Sequence, residues 1–430
     1  MNKIRSSTHY FHNICNTNKK YNLEHFIDNY RNAVQFFIDY LWNNEISYND
    51  KIFNREKDLL DCPSFISTKD IEYETVLSER AIKCAATQAC SIVGGTVEKR
   101  KKRLYVLNKL KQEGKDVSHI QKVLDKQPIN KPEVPQDFKC ELNSICCDFI
   151  ETPNSFDGFL QLKSIGKQYG KIRIPIKFHR QSNKWKKQGT LKPSFLVASQ
   201  YINMRWEIEF PDKKEDGETV GADSGLTTCL TLSDGQVTQK CPHGHDLHSI
   251  SEKLSRRKWG SKGFQRTQKH RENYVNWSLN QIDFSNIRQI NLEEIYDINR
   301  GRNTSRLLKH WKNTLISDKL EKIGEESGVQ IKLQSNAYRS QRCSSCGYVN
   351  KSNRNKKVFL CKMCEHTDDA DLNASLNHLE ELPRLSKDSL LSELSKGCGF
   401  YWLPQGLFDL EGEEFTVSHA EEKIILHQNI

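Results

Sequence analysis

Thr219-Val220-Gly221-Ala222-Asp223-Ser224-Gly225-Leu226 is the stretch on which the architecture turns. It reads as an apolar strand, Thr219–Asp223, that ends in a carboxylate and runs into glycine, which permits a sharp turn or close approach by another backbone. A following strand is expected over Thr227–Leu232, turned by Ser233-Asp234-Gly235. Helical material around 249–282 leads to a strand at Ile287–Glu293. A helix is expected across Ser305–Ile323, with Leu308, Trp311, Leu315 and Leu320 facing inward and Gly328 as its stop. Val329, Ile331 and Leu333 then alternate as another strand. Strands followed by crossover helices indicate α/β architecture.

Three acids occupy telling positions in this pattern. Asp223 ends its strand, Glu293 closes Ile287–Leu292, and Asp371 starts a helix whose expected inward residues are Leu372, Leu376 and Leu379. A carboxylate at the end of a buried strand is costly unless paired or bound to metal. Three of them could converge on two Mg²⁺ ions, which favour a few carboxylates plus water and phosphate oxygen and can drive phosphodiester hydrolysis. Taken singly, each also reads as a cap or surface residue, and Asp371 suits an N-cap or first-turn role.

Cys343-Ser-Ser-Cys346 and Cys361-Lys-Met-Cys364 are two CxxC knuckles. Four thiolates from two tight turns satisfy one tetrahedral Zn²⁺ with no open position, which makes the expected site structural. Arg342, Lys351, Arg354, Lys356, Lys357 and Lys362 make this segment basic. The other ten of the fourteen cysteines are scattered; Cys84, Cys90, Cys140, Cys146, Cys147 and Cys229 are expected to be small core hydrophobes, with Cys229 in a strand. Cys241-Pro-His243-Gly-His245-Asp-Leu-His248 follows a strand as a loop would, and its spacing matches no named metal site.

The 430 residues carry a net charge of +10, with 28% charged and 36% hydrophobic residues. Such a length suggests two to four structural units. No apolar run approaches the ~18 residues of a membrane span, and Met1–Arg5 lacks the apolar stretch of a secretory signal. Neither a membrane protein nor a secreted one is expected, and a reducing compartment favours metal over disulfides for the paired cysteines. The charge is uneven: from Leu379 on, ten acids face four bases, so this tail is −6 and the body +16. Two windows hold no acid, Gln161–Lys192 with ten Lys/Arg and Lys253–Arg271 with eight. Such blocks suit a polyanion, although one alone is equally a solvated face.

In the N-terminal half, Leu23, Phe26, Ile27, Tyr30, Val34, Phe37, Ile38 and Leu41 mark an amphipathic helix over 23–42. A second helical region spans about Leu77–Leu110, with a break expected at Gly94-Gly95, and carries Lys99-Arg100-Lys101-Lys102-Arg103. After the linker Pro128–Pro135, alternation over Ile172–Phe178 and Ile202–Phe210 predicts half-buried antiparallel strands of a small β-barrel, with Lys171, Arg173 and Lys177 on one outer face. Pro211–Gly217 reads as a linker.

The ordered set Gly221-Ala-Asp223-Ser-Gly225-Leu, Ile290-Asn-Leu292-Glu293-Glu294-Ile, Ser340-Gln341-Arg342-Cys343-Ser-Ser-Cys346-Gly347 and Asp369-Ala-Asp371-Leu-Asn373-Ala374-Ser-Leu-Asn377 resembles the split RuvC nuclease of the TnpB family. Those are transposon-encoded RNA-guided DNA endonucleases, related to miniature type V CRISPR effectors and to Fanzor proteins. The resemblance is specific over about 216–380 and architectural over 1–215. It implies a multidomain α/β protein with an RNase H-like RuvC domain carrying an inserted zinc ribbon, a helical recognition lobe and a wedge β-barrel. The implied pieces are barrel 1–22 and 136–215, lobe 23–135, nuclease 216–340 and 367–386, zinc ribbon (the target-strand module) 341–366, and an acidic tail 387–430. Glu294 stands where the family usually has Asp, and Glu365 where it usually has Gly after the last cysteine.

Carried over, Asp223, Glu293 and Asp371 are the implied catalytic acids and Mg²⁺ ligands, and Cys343, Cys346, Cys361 and Cys364 the zinc ligands. Nucleic-acid contacts are expected at Lys99, Arg100, Lys171, Arg173, Lys177, Arg256, Arg257, Lys258, Lys262, Arg266, Arg271, Arg339, Gln341 and Arg342. Guide RNA and target double-stranded DNA are the implied partners, with the protein a monomer or a dimer on RNA. The implied location is the cytoplasm and nucleoid of a prokaryote, or the nucleus of a eukaryotic host. A non-cleaving guided DNA binder and a guide-independent nuclease are the two alternatives.

Overall fold

The computed structural model describes residues 2–11, 14–43, 62–69, 71–112, 114, 116–126, 131–295, 305, 307–385 and 399–415. Two compact units divide at Glu209/Phe210, slightly before the expected linker. Among the described residues, no helix is long and apolar enough to cross a membrane.

The N-terminal unit begins with β1 (Asn2–Tyr10) and α1 (Thr17–Asn43), continues through α2 (Glu79–Gln112) and α3 (Ser118–Lys126), and ends with β2 (Cys140–Leu142), β3 (Cys147–Glu151), β4 (Gly158–Leu162), β5 (Ile172–Ile176), α4 (Arg180–Gln188), β6 (Gly189–Val197) and β7 (Tyr201–Glu209). The stripe on α1 behaves as its spacing predicts: Leu23, Phe26, Tyr30, Val34, Phe37 and Leu41 are fully buried. The expected break at Gly94-Gly95 is absent, and α2 runs through both glycines. Glycine weakens a helix by only about 1 kcal/mol, which packing readily offsets. The strands form two antiparallel sheets, β1-β7-β6-β2 and β3-β4-β5. The alternation in β7 holds, burying Ile202, Met204, Trp206 and Ile208. Cys84, Cys90, Cys140, Cys146 and Cys147 are buried.

The C-terminal unit is built on β8 (Glu218–Asp223), β9 (Thr231–Leu232), α5 (Leu247–Ser255), α6 (Lys262–Leu279), β10 (Ile287–Glu294), α7 (Asn313–Ser327) and β11 (Gln330–Ser335). Its sheet has the order β11-β10-β8-β9, with β8, β10 and β11 parallel and β9 antiparallel to β8. The strand expected over Thr227–Leu232 shrinks to its last two residues. A turn closed by the Gly225 N–H on the Thr228 carbonyl takes up the start, and Cys229 is buried in a bend. The helix expected from Ser305 starts at Asn313 and stops at Gly328, whose φ of 73° is the left-handed cap that glycine adopts without cost. Val220, Ala222, Leu230, Ile290, Leu292 and Leu320 meet in one core between sheet and helices.

Beyond β11 come β12 (Tyr348–Val349), β13 (Arg354–Asn355), β14 (Val358–Leu360), β15 (Thr367–Asp369) and α8 (Ala370–Asn377), then β16 (Phe400–Leu403), β17 (Gly406–Phe408) and β18 (Glu414–Phe415). The acidic tail is therefore not simply a tail. Residues 400–415 form an antiparallel meander that pairs with β12, and Trp402 is buried against Tyr338 and Val349. The inward face of α8 also differs from expectation. Leu372 and Leu376 are half-buried and Leu379 is exposed, whereas Asp371, Asn373, Ala374, Ser375 and Asn377 are buried. The helix lies too close to β8 for large side chains between them: a Cβ on Gly221 would stand 1.9 Å from the Ser375 carbonyl oxygen.

Candidate metal centre

Ala222 of β8 and Leu292 of β10 are paired in parallel register. The next residues, Asp223 and Glu293, therefore sit side by side at the carboxyl ends of neighbouring strands, about 4.8 Å apart along the ladder. Carboxyl ends of parallel strands are where open α/β sheets place ligands. Glu293 is oriented by Ser224, whose backbone N–H and hydroxyl both donate to Oε1 at 2.9 and 2.6 Å. Glu293, not Glu294, is the carboxylate that lies with Asp223. Burial first, then the charges of Glu293 and Asp371, raise the Asp223 carboxyl well above its ordinary range; Arg354 and Lys357 act in the opposite sense. A cluster that penalises its own negative charge in this way suits a bound dication.

Asp371 occupies the first turn of α8, and Asp369 is the cap, accepting from the Asp371 and Leu372 N–H groups. The Asp371 carboxylate is buried and engaged by two cations of the hairpin β13–β14, Arg354 at 2.8 Å and Lys357. The group whose ligand atoms lie within 4.8 Å of one another is Asp223, Glu293 and His378. Of the three expected acids, the structure thus brings two into one ligand cluster and places the third where it acts on Asp223 through its charge. His378 is the site residue that motif reading missed. A signal existed, since it follows Asp371 by seven residues, two helical turns, and so shares its face. Asp223, Glu293 and His378 line a cleft of about 320 Å³ together with Asn336, Tyr338, Arg339, Ser340 and Gln341.

The four cysteines form a second cluster, all within 4.8 Å of one another. Cys343 and Cys364 sulfurs stand 3.7 Å apart, and those of Cys346 and Cys361 3.6 Å. A disulfide would hold them at about 2.05 Å, whereas tetrahedral bonds of about 2.3 Å to a central ion give edges of about 3.8 Å. The observed edges fit the second geometry. Cys364 is held down to about 7 by the His366 N–H and the neighbouring thiols, against the opposing effect of burial. The Cys241–His248 loop is not such a group: among the described residues only the two clusters above bring three or more ligands together, and Asp246 instead caps α5.

Motif asparagines tie the two clusters together. Asn373 donates to the Arg342 carbonyl and accepts from the Ser344 N–H, while Asn377 donates to the carbonyls of Arg339, Arg342 and Asn373. The knuckle that starts at Cys343 is thereby fixed to α8.

Three of the arginines expected to contact nucleic acid are buried. Arg339 spends its guanidinium on the Ser335 and Asn377 carbonyls and lies over the Trp402 ring. Arg342 donates to the Trp402 carbonyl and the Asn377 side chain. Arg271 donates to the His310 carbonyl. All three are at most 4% exposed, and these contacts hold the fold together. Gln341 is half-buried at the cleft. Lys99, Lys171, Arg173, Lys177, Arg256, Lys258, Lys262 and Arg266 are exposed, and Arg100 and Arg257 half-buried.

Residues 315–378 match the family described as Cas12f1-like, TNB domain. The matched stretch extends from α7 to the end of α8 and so includes both CxxC knuckles and Asp371. The chain is 35% identical over 74 residues to a CRISPR-associated endodeoxyribonuclease Cas12f1 of Sulfoacidibacillus thermotolerans, covering 17% of this chain and 18% of the relative. It is 31% identical over 81 residues to a TnpB-like protein of Aquifex aeolicus, covering 18% and 26%. These matches support the resemblance to TnpB proteins and miniature type V effectors read from the motifs, over a fifth to a quarter of the relatives' length. A Cas12f1 chain solved with sgRNA and target DNA aligns over 88% of this chain and 99% of its own, at 12% identity and a TM-score of 0.44.

Proposed function

We propose that the chain is an RNA-guided DNA endonuclease whose single RuvC-like centre hydrolyses phosphodiesters with divalent metal. The observation that carries this reading is the pair of strand-end carboxylates, Asp223 and Glu293, in a chain whose residues 315–378 match the Cas12f1-like TNB domain. The sheet supports it: a central strand with one antiparallel and one parallel neighbour, and a further parallel strand beyond, is the RNase H-like arrangement.

Asp223 and Glu293 would hold the metal, with Asp371 completing the acidic set once Arg354 and Lys357 release it. Two bound Mg²⁺ ions would supply activation of a water and stabilisation of the leaving oxygen. Ser224 keeps the Glu293 carboxylate turned toward Asp223, and the Asn291 side chain, donating to the His378 carbonyl at 2.8 Å, locks α8 to β10. The Cys343–Cys346–Cys361–Cys364 cluster would hold one structural Zn²⁺ that keeps the TNB hairpin against Asp371. Arg173 of β5, the flanking Lys171 and Lys177, and the exposed lysines and arginines of the α5–α6 segment would grip guide and target backbones by charge, leaving sequence choice to base pairing.

The test is to sequence the RNA that co-purifies with the protein, then assay cleavage of DNA matched to it with Mg²⁺ or with chelator. Guide-matched, Mg²⁺-dependent cutting that Asp223→Ala abolishes is expected. Undiminished cutting by that variant, or equal cutting without RNA, would sink the reading.

A further inference from the structure

His378 sits at the carboxyl end of α8, two helical turns beyond Asp371 and on the same face. It is 1% exposed. A side chain so buried normally finds partners for its polar atoms, because an unmet one costs about 1–3 kcal/mol. Here Nδ1 meets no hydrogen-bond partner among the described residues. The ring nevertheless lines the cleft, with a nitrogen within 4.8 Å of the Asp223 and Glu293 carboxylate oxygens. Its backbone is held on both sides, the N–H by the Ser375 carbonyl and the carbonyl by Asn291. Gly221, whose missing Cβ would come 3.0 Å from that of His378, lets the ring approach β8.

We infer that His378 is a nitrogen ligand to the divalent ion held by Asp223 and Glu293, giving the centre a mixed oxygen–nitrogen set that discriminates in favour of Mn²⁺ over Mg²⁺. The inference rests on the proposed dication reading of those two carboxylates. Imidazole is a natural ligand for borderline transition ions, whereas Mg²⁺ is bound almost wholly through oxygen and dehydrates reluctantly. With Asp371 engaged by Arg354 and Lys357, His378 is the third donor within reach of the pair.

The experiment uses the full chain, stripped of loosely bound dications and titrated with Mn²⁺. The free ion is followed by continuous-wave electron paramagnetic resonance, and the bound ion by pulsed measurements of ¹⁴N coupling. Bound Mn²⁺ coupled to ¹⁴N is expected in the wild type, with the coupling lost and affinity about tenfold weaker or worse in His378→Gln. Mg²⁺ affinity, read by competition, should change less than about threefold. Asp223→Asn should remove the same bound ion, which assigns the signal to this centre and not to the histidine-rich loop. Melting curves accompany each variant, and His378→Asn repeats the test if the glutamine variant unfolds.

Mn²⁺ bound in an Asp223-dependent way without ¹⁴N coupling overturns the inference and leaves the nuclease reading standing. The same coupling surviving in the folded His378 variants also overturns it. Absence of any Asp223-dependent ion overturns the dication reading itself.

Discussion

Gly221→Ala is the most demanding single change this site can be asked to bear. The added Cβ would meet the Ser375 carbonyl oxygen at 1.9 Å and the His378 Cβ at 3.0 Å. The obstacle is backbone, not the tip of a flexible side chain, so rotamer changes cannot relieve it. Carbon and oxygen rest at about 3.3 Å or more, so α8 and β8 must separate by about 1.4 Å. Overpacking of this kind costs about 1–3 kcal/mol, which in a unit of this size lowers the melting temperature by roughly 3–10 °C. The kinetic effect should be larger than the thermal one. α8 carries both Asp371 and His378, and a displacement of about 1 Å at reacting groups costs about a hundredfold in rate. The assay is guide-dependent DNA cleavage under single-turnover conditions, paired with thermal melting of the same preparations. Gly95→Ala is the control: it sits inside α2 with nothing within 4 Å of the added carbon, so it should leave cleavage unchanged and stabilise by up to about 1 kcal/mol. Cleavage by Gly221→Ala within threefold of wild type, with an unchanged melting temperature, would refute the close-approach argument.

Three further outcomes follow from the geometry. Because the folded state holds the Asp223 proton more tightly than the unfolded chain does, this group's contribution to the stability of metal-free protein is fully present below about pH 4 and lost as pH rises through its folded pKa. Asp223→Asn should therefore abolish cleavage yet raise the neutral-pH melting temperature of chelated protein by about 2–6 °C, with the gap closing toward pH 4 in a fluorimetric pH series. Elemental analysis should find one zinc per chain, lost in Cys361→Ser, and its removal should melt the hairpin and knuckles, since such sites carry about 10–16 kcal/mol of apparent binding free energy. Glu365 holds a left-handed φ of 61° right after the last cysteine; that conformation costs a residue with a Cβ about 1 kcal/mol or more. Glu365→Gly should slow zinc release to a chromogenic chelator and raise the melting temperature by a few degrees.

Much of this was legible in the chain. The period-3.6 stripe on α1 and the period-two alternation of β7 arise from local geometry that any buried face imposes, so both could be read directly. The strand-end acids were legible for a related reason, because a charge interrupting an apolar run marks where a strand leaves the core. The knuckles were legible from ligand type and spacing. Where reading failed, the cause was packing between distant segments. The length of β9 depends on a turn at Gly225–Thr228, and Arg339 and Arg342 look like any basic residues until Trp402, some sixty positions later, closes over them.

The sequence by itself determined which residues could do chemistry here: two carboxylates at strand ends, a third at the start of a helix, and four thiols in paired turns. Spacing alone carries that information, because strands and helices repeat with set periods. Only the tertiary structure decided which of these groups meet. It joined Asp223 to Glu293 through parallel register and brought His378 beside them. It also set Asp371 against Arg354 and Lys357, and turned part of the acidic tail into a sheet. Those outcomes hang on one glycine-sized gap between β8 and α8 and on pairings between segments far apart in the chain, where no local period reaches.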